Sequence, residues 1–387
     1  MKTRADDQLI LAVNSGSSSL KFGLFAEQEG EEIAVFRGEA EGIGRPDGNL
    51  KIVNADGSDL LDEAYSSGTQ ASALEAILSA LSKRGIKSPV SVGHRVVHGG
   101  PHLRKHQRIT GSVLKTLEAA VHFAPLHIPV ALTLIKKTEE LLPHAEQFAC
   151  FDTAFHATMP ETSARYALPQ ELYAKGVQRY GFHGLSYESV LHRLRRDLPS
   201  RVVCAHLGSG SSLVALRDGR SVDTSMGMTP TGGVPMATRI GDLDPGVLLF
   251  LMRSESMDAS ALEKLLNKQS GLLALSGSES DMRELQHAMQ NGDKQAKLAV
   301  EIFAGAVRKY IGAYAAELGG LDLLIFTGGI GEHSQFVRDL ICQRLEFLGI
   351  GRSEKNSESK VIAMTSEEEV QIARHSRRLM SMASPSD

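Results

Sequence analysis

Leu9-Ile10-Leu11-Ala12-Val13-Asn14-Ser15-Gly16-Ser17-Ser18-Ser19-Leu20-Lys21-Phe22-Gly23-Leu24-Phe25 decides how this 387-residue chain is read. Its five opening apolar residues have the length and composition of a buried strand. The run breaks into a Gly/Ser turn and resumes at Leu20, so a β-hairpin is expected. The hairpin tip carries hydroxyls and closely spaced backbone N–H groups, and Gly16 lets the backbone come close to a ligand. Such a concave tip suits phosphate. Lys21 adds a positive charge, and Asn14 is a neutral oxygen ligand of the kind magnesium or its waters accept. Taken alone, an ordinary polar turn explains the stretch better.

The second half of the chain changes that balance. Arg201-Val202-Val203-Cys204-Ala205-His206-Leu207-Gly208-Ser209-Gly210-Ser211-Ser212-Leu213-Val214 repeats the design, and Ser15-Gly16-Ser17-Ser18 recurs as Ser209-Gly210-Ser211-Ser212. One supersecondary unit repeated at this distance points to a duplicated fold. Two phosphate-friendly hairpins facing across a cleft would hold a polyphosphate from both sides, which makes a nucleotide site the stronger reading.

A chain of this length suits two domains of ordinary size. It is 42% hydrophobic and 23% charged, the balance of a soluble globular protein. The net charge of −4, without a dense Lys/Arg block, gives no electrostatic case for nucleic acid. Met1 to Asp7 is charged and runs straight into a strand, unlike a signal peptide. No run approaches the ~20 apolar residues of a spanning helix, so no membrane partner is expected. Cys150, Cys204 and Cys342 lack metal-ligand spacing and read as reduced core residues of a cytoplasmic protein.

Further antiparallel strands are expected over Glu27–Asp62, and a helix over Thr69–Arg84, where Ala71, Leu74, Ile77, Leu78 and Leu81 keep helical spacing. Pro89–Gly93 reads as a short buried strand, and Leu114–Phe123 as a helix. Two prolines are expected to hold Ala124–Pro129 as an extended loop. A helix to about Leu142 and a strand over Gln147–Phe151 complete the first half. Strand pairs follow over Arg201–Val222, then a long loop over Asp223–Pro245, a length usually reserved for function. Helices are expected at 257–267 and about 294–318, and a buried strand over Leu321–Phe326. A last helix begins at about Ser366, with a disordered tail over Ser381–Asp387. Strands in runs with interleaved helices indicate α/β halves with mixed sheets.

Several stretches carry candidate chemistry. His94-Arg95-Val96-Val97-His98-Gly99-Gly100 sets an arginine at a strand end, where it either pairs a phosphate or carboxylate through two N–H bonds or closes a structural salt bridge. Phe151-Asp152-Thr153-Ala154-Phe155-His156 places a carboxylate in an apolar setting, where a cation, hydrogen bonds or a catalytic duty must offset its desolvation. Tyr180-Gly181-Phe182-His183-Gly184-Leu185-Ser186 flanks an imidazole with glycines, more room than a core histidine needs. Arg239 lies in the long loop. Asp281 and Arg283 could meet a ribose hydroxyl and a base, and Thr327-Gly328-Gly329-Ile330-Gly331 forms a turn against which adenosine could lie. Together these make a phosphoryl-transfer kit, a chemistry that needs charge neutralisation and alignment more than covalent help.

At these residues the chain closely resembles the acetate kinase family, within the sugar kinase, heat-shock protein 70 and actin superfamily. The matching stretches are 13–21, 93–100, 124–129, 151–156, 179–184, 206–210, 223–245, 267–283 and 327–332, in the family's order and across nearly the whole chain. The resemblance implies an α/β fold of two duplicated ribonuclease H-like (actin-like ATPase) domains, with mixed sheets facing across a nucleotide cleft. Residues 1–150, joined by the C-terminal helix at about 366–387, would form one domain and 151–365 the other. It implies reversible, Mg²⁺-dependent transfer of the ATP γ-phosphoryl group to acetate, giving acetyl phosphate and ADP, and a homodimer. Arg95 and Arg239 would bind the carboxylate and the transferring phosphoryl group. His183 would donate to an equatorial oxygen, and Asp152 would position the substrate or its metal. Val97, Leu126, Phe182 and Pro230, with His127, correspond to the acyl site. Asn14 and Glu368 correspond to the metal site, with Glu367 and Glu369 as neighbouring registers for the latter. Ser17, Ser19, Lys21, His206, Leu207, Gly208, Ser209, Gly210, Asp281, Met282, Arg283, Gly329, Ile330, Gly331, Glu332 and His333 would hold the nucleotide.

The chain departs from the family pattern at four positions. Ser209 and His333 stand where asparagines are usual, on the nucleotide side. Ile128 and Leu185 stand where Asn and Thr are usual, near the expected acyl side. Propionate is the runner-up acceptor, because one methylene in an apolar pocket is worth only ~1–3 kcal/mol. A related ATP or polyphosphate hydrolase is the alternative chemistry, disfavoured by two arginines suited to an anionic acceptor. A nucleotide-dependent chaperone would need an appended peptide-binding domain, for which a chain ending at Asp387 leaves no room.

Overall fold

The computed structural model describes residues 8–16, 18–65, 68–350 and 361–383. The chain divides into two compact units, the first drawn from Met1–Ala154, Gly184–Ser189 and Glu367–Asp387, the second from Phe155–His183 and Val190–Ser366.

In the first unit, β1 (Ile10–Ser15) and β2 (Leu20–Gln28) are the expected hairpin, paired antiparallel from Ile10 opposite Phe25 to Ser15 opposite Leu20. β3 (Glu31–Glu41), β4 (Asn49–Asn54) and β5 (Asp59–Ala64) extend it as an antiparallel meander. On the other side β1 pairs in parallel with β6 (Ser91–Val96). A short β7 (Gln107–Arg108) and β8 (Glu146–Phe151) complete the sheet, in the order β5-β4-β3-β2-β1-β6-β8-β7. The five-residue apolar run is explained by burial on both faces. Leu9, Leu11 and Val13 pack with Leu74, Ile77 and Leu134 of helices Gln70–Ser82 and Ile128–Leu141. Ile10 and Ala12 meet Val370, Ile372 and Ala373 of helix Glu368–Ala383. Alternate residues of one strand thus serve two cores.

Gly93 on β6 permits that second contact. A Cβ there would lie 2.3 Å from Ser376 Oγ and 2.5 Å from Ile372 Cγ2, closer than any side chain tolerates. Thr69 caps helix Gln70–Ser82 by accepting from Ser72 N at 3.1 Å.

Two expectations need correction. Residues 124–129 are not an extended loop, because helix Ile128–Leu141 starts there with Pro129 in its first turn. A proline costs nothing at that place, since the N–H it lacks has no partner within the helix. The C-terminal helix continues through 381–383, while 384–387 lie outside the described residues. The short strands β7 and, below, β13 had no sequence signal, being too brief for periodicity.

The second unit has the sheet β11-β10-β9-β12-β13, built from β9 (Arg201–Leu207), β10 (Ser211–Arg217), β11 (Arg220–Thr224), β12 (Leu323–Thr327) and β13 (Val361–Ala363). Helix Lys294–Leu318 covers it with Ala299, Val300, Phe303, Val307 and Ile311. Asp293 caps that helix at its start, and Gly319 at φ 71° ends it. The segment 225–244 contains no helix or strand, as expected.

The two sheets share one plan. In each, a hairpin is extended antiparallel on one side and joined to two parallel strands on the other: β3-β2-β1-β6-β8 and β11-β10-β9-β12-β13. This is the duplicated ribonuclease H-like arrangement that the repeated Ser-Gly-Ser-Ser tips signalled. Among the described residues, no helix is long and apolar enough to cross a membrane.

Candidate active site

In the first unit, parallel pairing sets Arg95 near the end of β6 and Asp152 just past the end of β8. Asp152 is 1% exposed and spends both oxygens on Arg95: Nε donates at 3.1 and 3.0 Å, and Nη2 at 2.6 Å. Arg95 Nη1 donates to Asn14 Oδ1 at 3.0 Å and lies 3.9 Å from Glu368 Oε2. Burial pushes against the Arg95 charge, but Asp152, Glu368 and Glu369 outweigh it and raise its pKa further, so Arg95 is a permanent cation. Burial raises the Asp152 pKa against the opposing pull of Arg95.

Asn14 lies one residue before the end of β1 and is buried. Its Nδ2 donates to Glu368 Oε2 at 2.9 Å and to Glu369 Oε1 at 2.8 Å. Glu369, one of the neighbouring registers, therefore joins the residues expected at the metal, while Glu367 turns to Arg37 at 3.4 Å. Two carboxylates converging on one amide fit a divalent cation. Their like charges and hard oxygen donors are what Mg²⁺ satisfies, and the amide could exchange its N–H contacts for an oxygen one. The Asn14 oxygen itself is committed to Arg95 here.

The hairpin tips do not offer all the N–H groups expected of them. Gly16 N donates to Ser19 O at 2.9 Å, and Gly208 N donates to Gly210 O at 3.1 Å and Ser211 Oγ at 3.2 Å. In so tight a turn the nearest acceptor is the turn itself. Ser17 lies outside the described residues. Lys21 is exposed and 3.8 Å from Glu39 on the adjacent strand. Of the acyl-side residues, Val97 and His127 are half-buried and Leu126 is exposed. Ile128 and Leu185 are fully buried, Leu185 in the core beside Ile372 and Cys150, so packing explains both.

In the second unit, His183 takes a left-handed backbone (φ 60°, ψ 25°) after Gly181 at φ 73°. A Cβ on Gly181 would strike Thr224 Cγ2 at 2.5 Å and His156 Cδ2 at 2.6 Å, so only glycine fits. His183 Nδ1 is 2.9 Å from Ser212 Oγ, and its ring stacks on His206 at 4.2 Å. Arg239 Nη1 donates to the carbonyl of buried Pro230 at 3.1 Å. A Cβ built on Gly210 would lie 3.4 Å from His183 Nε2 and 3.6 Å from Arg239 Nη1. Two nitrogen-bearing groups thus border one glycine. Phe182 is buried, its carbonyl 3.0 Å from His156 Nε2.

Three distant stretches meet in a pocket of about 630 Å³. It is lined by Gly208, Ser209, Asp281, Met282, Arg283, Gly329, Ile330 and His333. Ala237, Ser280, Gln286, His287, Gln290 and Ser334 line it too; the first two fall within the matching stretches 223–245 and 267–283, and the other four had no motif to announce them. Helical spacing accounts for Gln286, His287 and Gln290: Met282, Gln286 and Gln290, and Arg283 and His287, share one stripe of helix Met282–Gln290. Asp281 caps that helix and pairs with Arg283 at 2.8 Å. His206, Leu207, Gly210, Gly331 and Glu332 do not line the pocket. Leu207 is fully buried, and the Glu332 carboxylate accepts from Gly328 N at 3.0 Å and Ser366 N at 3.2 Å, tying backbone together.

Back in the first unit, His106, Glu188 and His375 form a cluster of metal-ligand types. Phe151 N donates to His106 Nδ1 at 3.0 Å, which leaves the ring proton on Nε2, donated to Glu188 at 3.2 Å. A metal on Nε2 would need that proton gone and would leave the ring no N–H to donate. His375 Nε2 meets the other Glu188 oxygen at 2.6 Å. The trio is a hydrogen-bonded clasp. Burial raises the Glu188 pKa, but the two histidines outweigh it and bring it to about 2.

Residues 9–378 match the sequence profile of the Acetokinase family. The acetate kinase of Shouchella clausii (strain KSM-K16) is 40% identical over 397 residues, spanning 96% of this chain and 99% of that one. The crystal structure of Porphyromonas gingivalis acetate kinase aligns with a TM-score of 0.85 at 38% identity, over 96% of this chain and 100% of that one. A propionate kinase from Francisella tularensis subsp. tularensis SCHU S4 aligns with a TM-score of 0.88 at 34% identity and the same coverage. The chain belongs to the acetate kinase family and is an enzyme of that kinase class.

Proposed function

We propose that this enzyme transfers the γ-phosphoryl group of ATP to acetate, reversibly and in line. A carboxylate oxygen forms a bond to the γ-phosphorus as the bond from that phosphorus to the β,γ-bridging oxygen breaks, releasing ADP. The observation that carries the reading is the half-buried Arg95, held by Asp152 on one edge and Asn14 on the other. A guanidinium so fixed is suited to a planar anion. Asp152 acts here by anchoring Arg95, a more specific role than positioning the substrate. Arg239 and His183 would neutralise the transferring phosphoryl group, and the pocket at Ser209, Met282 and His333 would take the nucleoside.

Mg²⁺, held by Glu368 and Glu369 with Asn14, would supply charge neutralisation for the polyphosphate. In-line transfer needs little else, since the transition state spreads its charge over oxygens. A homodimer in the cytoplasm belongs to the same reading, by the resemblance.

Propionate is the second reading, favoured by the propionate kinase alignment. The test is hydroxylamine trapping of acyl phosphate with purified protein, Mg-ATP and acetate, propionate or butyrate in parallel. A carboxylate-dependent hydroxamate that vanishes in Arg95→Ala and Arg239→Ala would bear out the kinase and rank its acceptors. Phosphate release from ATP alone, without hydroxamate, would replace it with a hydrolase.

A further inference from the structure

We infer that Ser212 is a positioning residue for His183, fixing the imidazole with its proton on Nε2. The inference rests on the phosphoryl-transfer reading and adds to it the group that sets the histidine's tautomer.

Ser212 lies on β10, immediately after the second Ser-Gly-Ser tip, and is 0% exposed. Its Oγ stands 2.9 Å from His183 Nδ1. A hydroxyl can donate or accept, and a neutral imidazole carries its proton on one nitrogen only. The choice at Nδ1 therefore decides what Nε2 offers. Nε2 and Arg239 Nη1 both border Gly210, lying 3.4 and 3.6 Å from where its Cβ would be. If Ser212 donates, Nε2 carries N–H, and His183 and Arg239 present two donors to a phosphoryl oxygen there. If Ser212 accepted, Nε2 would face that oxygen with a lone pair, and the two would repel.

Three features hold the arrangement in place. The left-handed backbone at His183 fixes where the ring starts, and the stacked His206 ring restricts its tilt. Antiparallel pairing sets Ser212 opposite His206 on β9, so one register places both of the groups that flank the imidazole.

The experiment is ¹⁵N NMR of histidine-labelled enzyme, with the His183 signals assigned by their loss in His183→Gln. The expected wild-type spectrum shows the Nε2–H tautomer at neutral pH, and Ser212→Ala shows a mixture. In the hydroxamate assay Ser212→Ala should lower kcat roughly 100-fold, with both KM values within about twofold. Ser212→Cys keeps the volume and offers a weak donor, and it stands in should the alanine variant not fold. A wild-type Nδ1–H tautomer, or variants with unchanged tautomer and kcat, would overturn the inference. The tautomer is read without turnover, so a wild type that forms no acyl phosphate would fail the kinase reading separately.

Discussion

Asp152 and Arg95 form a closed ion pair: both carboxylate oxygens accept from the guanidinium, with only 1% of the Asp152 side chain in contact with solvent. A buried pair of this kind gains little over an apolar pair of equal volume, but breaking it strands a charge. Asp152→Asn should therefore destabilise the protein by roughly 3–5 kcal/mol and release Arg95 from its set orientation. Chemical denaturation measures the first effect. The hydroxamate assay measures the second, where a fall in kcat of at least ~100-fold is expected. Wild-type activity in Asp152→Asn would show that Arg95 needs no anchor.

The approach of the C-terminal helix to Gly93 carries a second expectation. Gly93→Ala would drive a methyl into Ser376 and Ile372 and push away the helix that begins with Glu368 and Glu369. Overpacking of this sort costs about 1–3 kcal/mol. Because the displaced helix supplies two proposed metal carboxylates, the Mg²⁺ concentration for half-maximal activity should also rise. A urea titration and a Mg²⁺ titration of the same variant separate the two effects.

Acid stability should depend on the clasp. The Glu188 pKa is depressed from 4.5 to about 2, so the folded state binds fewer protons than the unfolded state between those values. Its contribution is fully present above pH 4.5 and is lost as the pH falls towards 2, on the order of 3 kcal/mol in all. Buried His94, lowered from 6.5 to about 4, adds a loss in the same direction over pH 6.5 to 4. Glu188→Gln should remove the lower window and leave the upper one. Unfolding free energies measured from pH 7 to 3 would show a curve missing only its steep acid limb.

The pocket predicts a selective defect. Arg283 is largely exposed, lines the pocket and is paired with Asp281. Arg283→Ala should raise the ATP KM by up to ~10-fold and leave the carboxylate KM unchanged. Steady-state kinetics with each substrate varied in turn would check this, and a matching rise in both KM values would remove Arg283 from the nucleotide side.

Much of this protein could be read from its residues. The apolar run before Asn14, its echo before Ser209, and helical spacing over 294–318 all express a local rule: burial on two faces needs an unbroken apolar strand, and one buried face needs a 3.6-residue period. The same rules placed Arg95 and Asp152 at strand ends. Local rules failed at Pro129, where a residue that breaks a helix also starts one, and at β7 and β13, which exist because a neighbouring strand offers them an edge.

What the chain alone determined was the set of chemical groups and their order: two hairpins, two arginines, an aspartate, a glycine-flanked histidine and a glycine turn. Only the tertiary structure decided their partners. It gave Asp152 to Arg95, set Glu369 beside Glu368 at Asn14, turned Glu332 back onto the backbone, placed Ser212 against His183, and drew Gln286, His287 and Gln290 into the pocket. The reason is physical. A hydroxyl, an amide or a carboxylate bonds whatever the packing of distant segments brings within about 3 Å, and no short stretch of sequence records which segments those are.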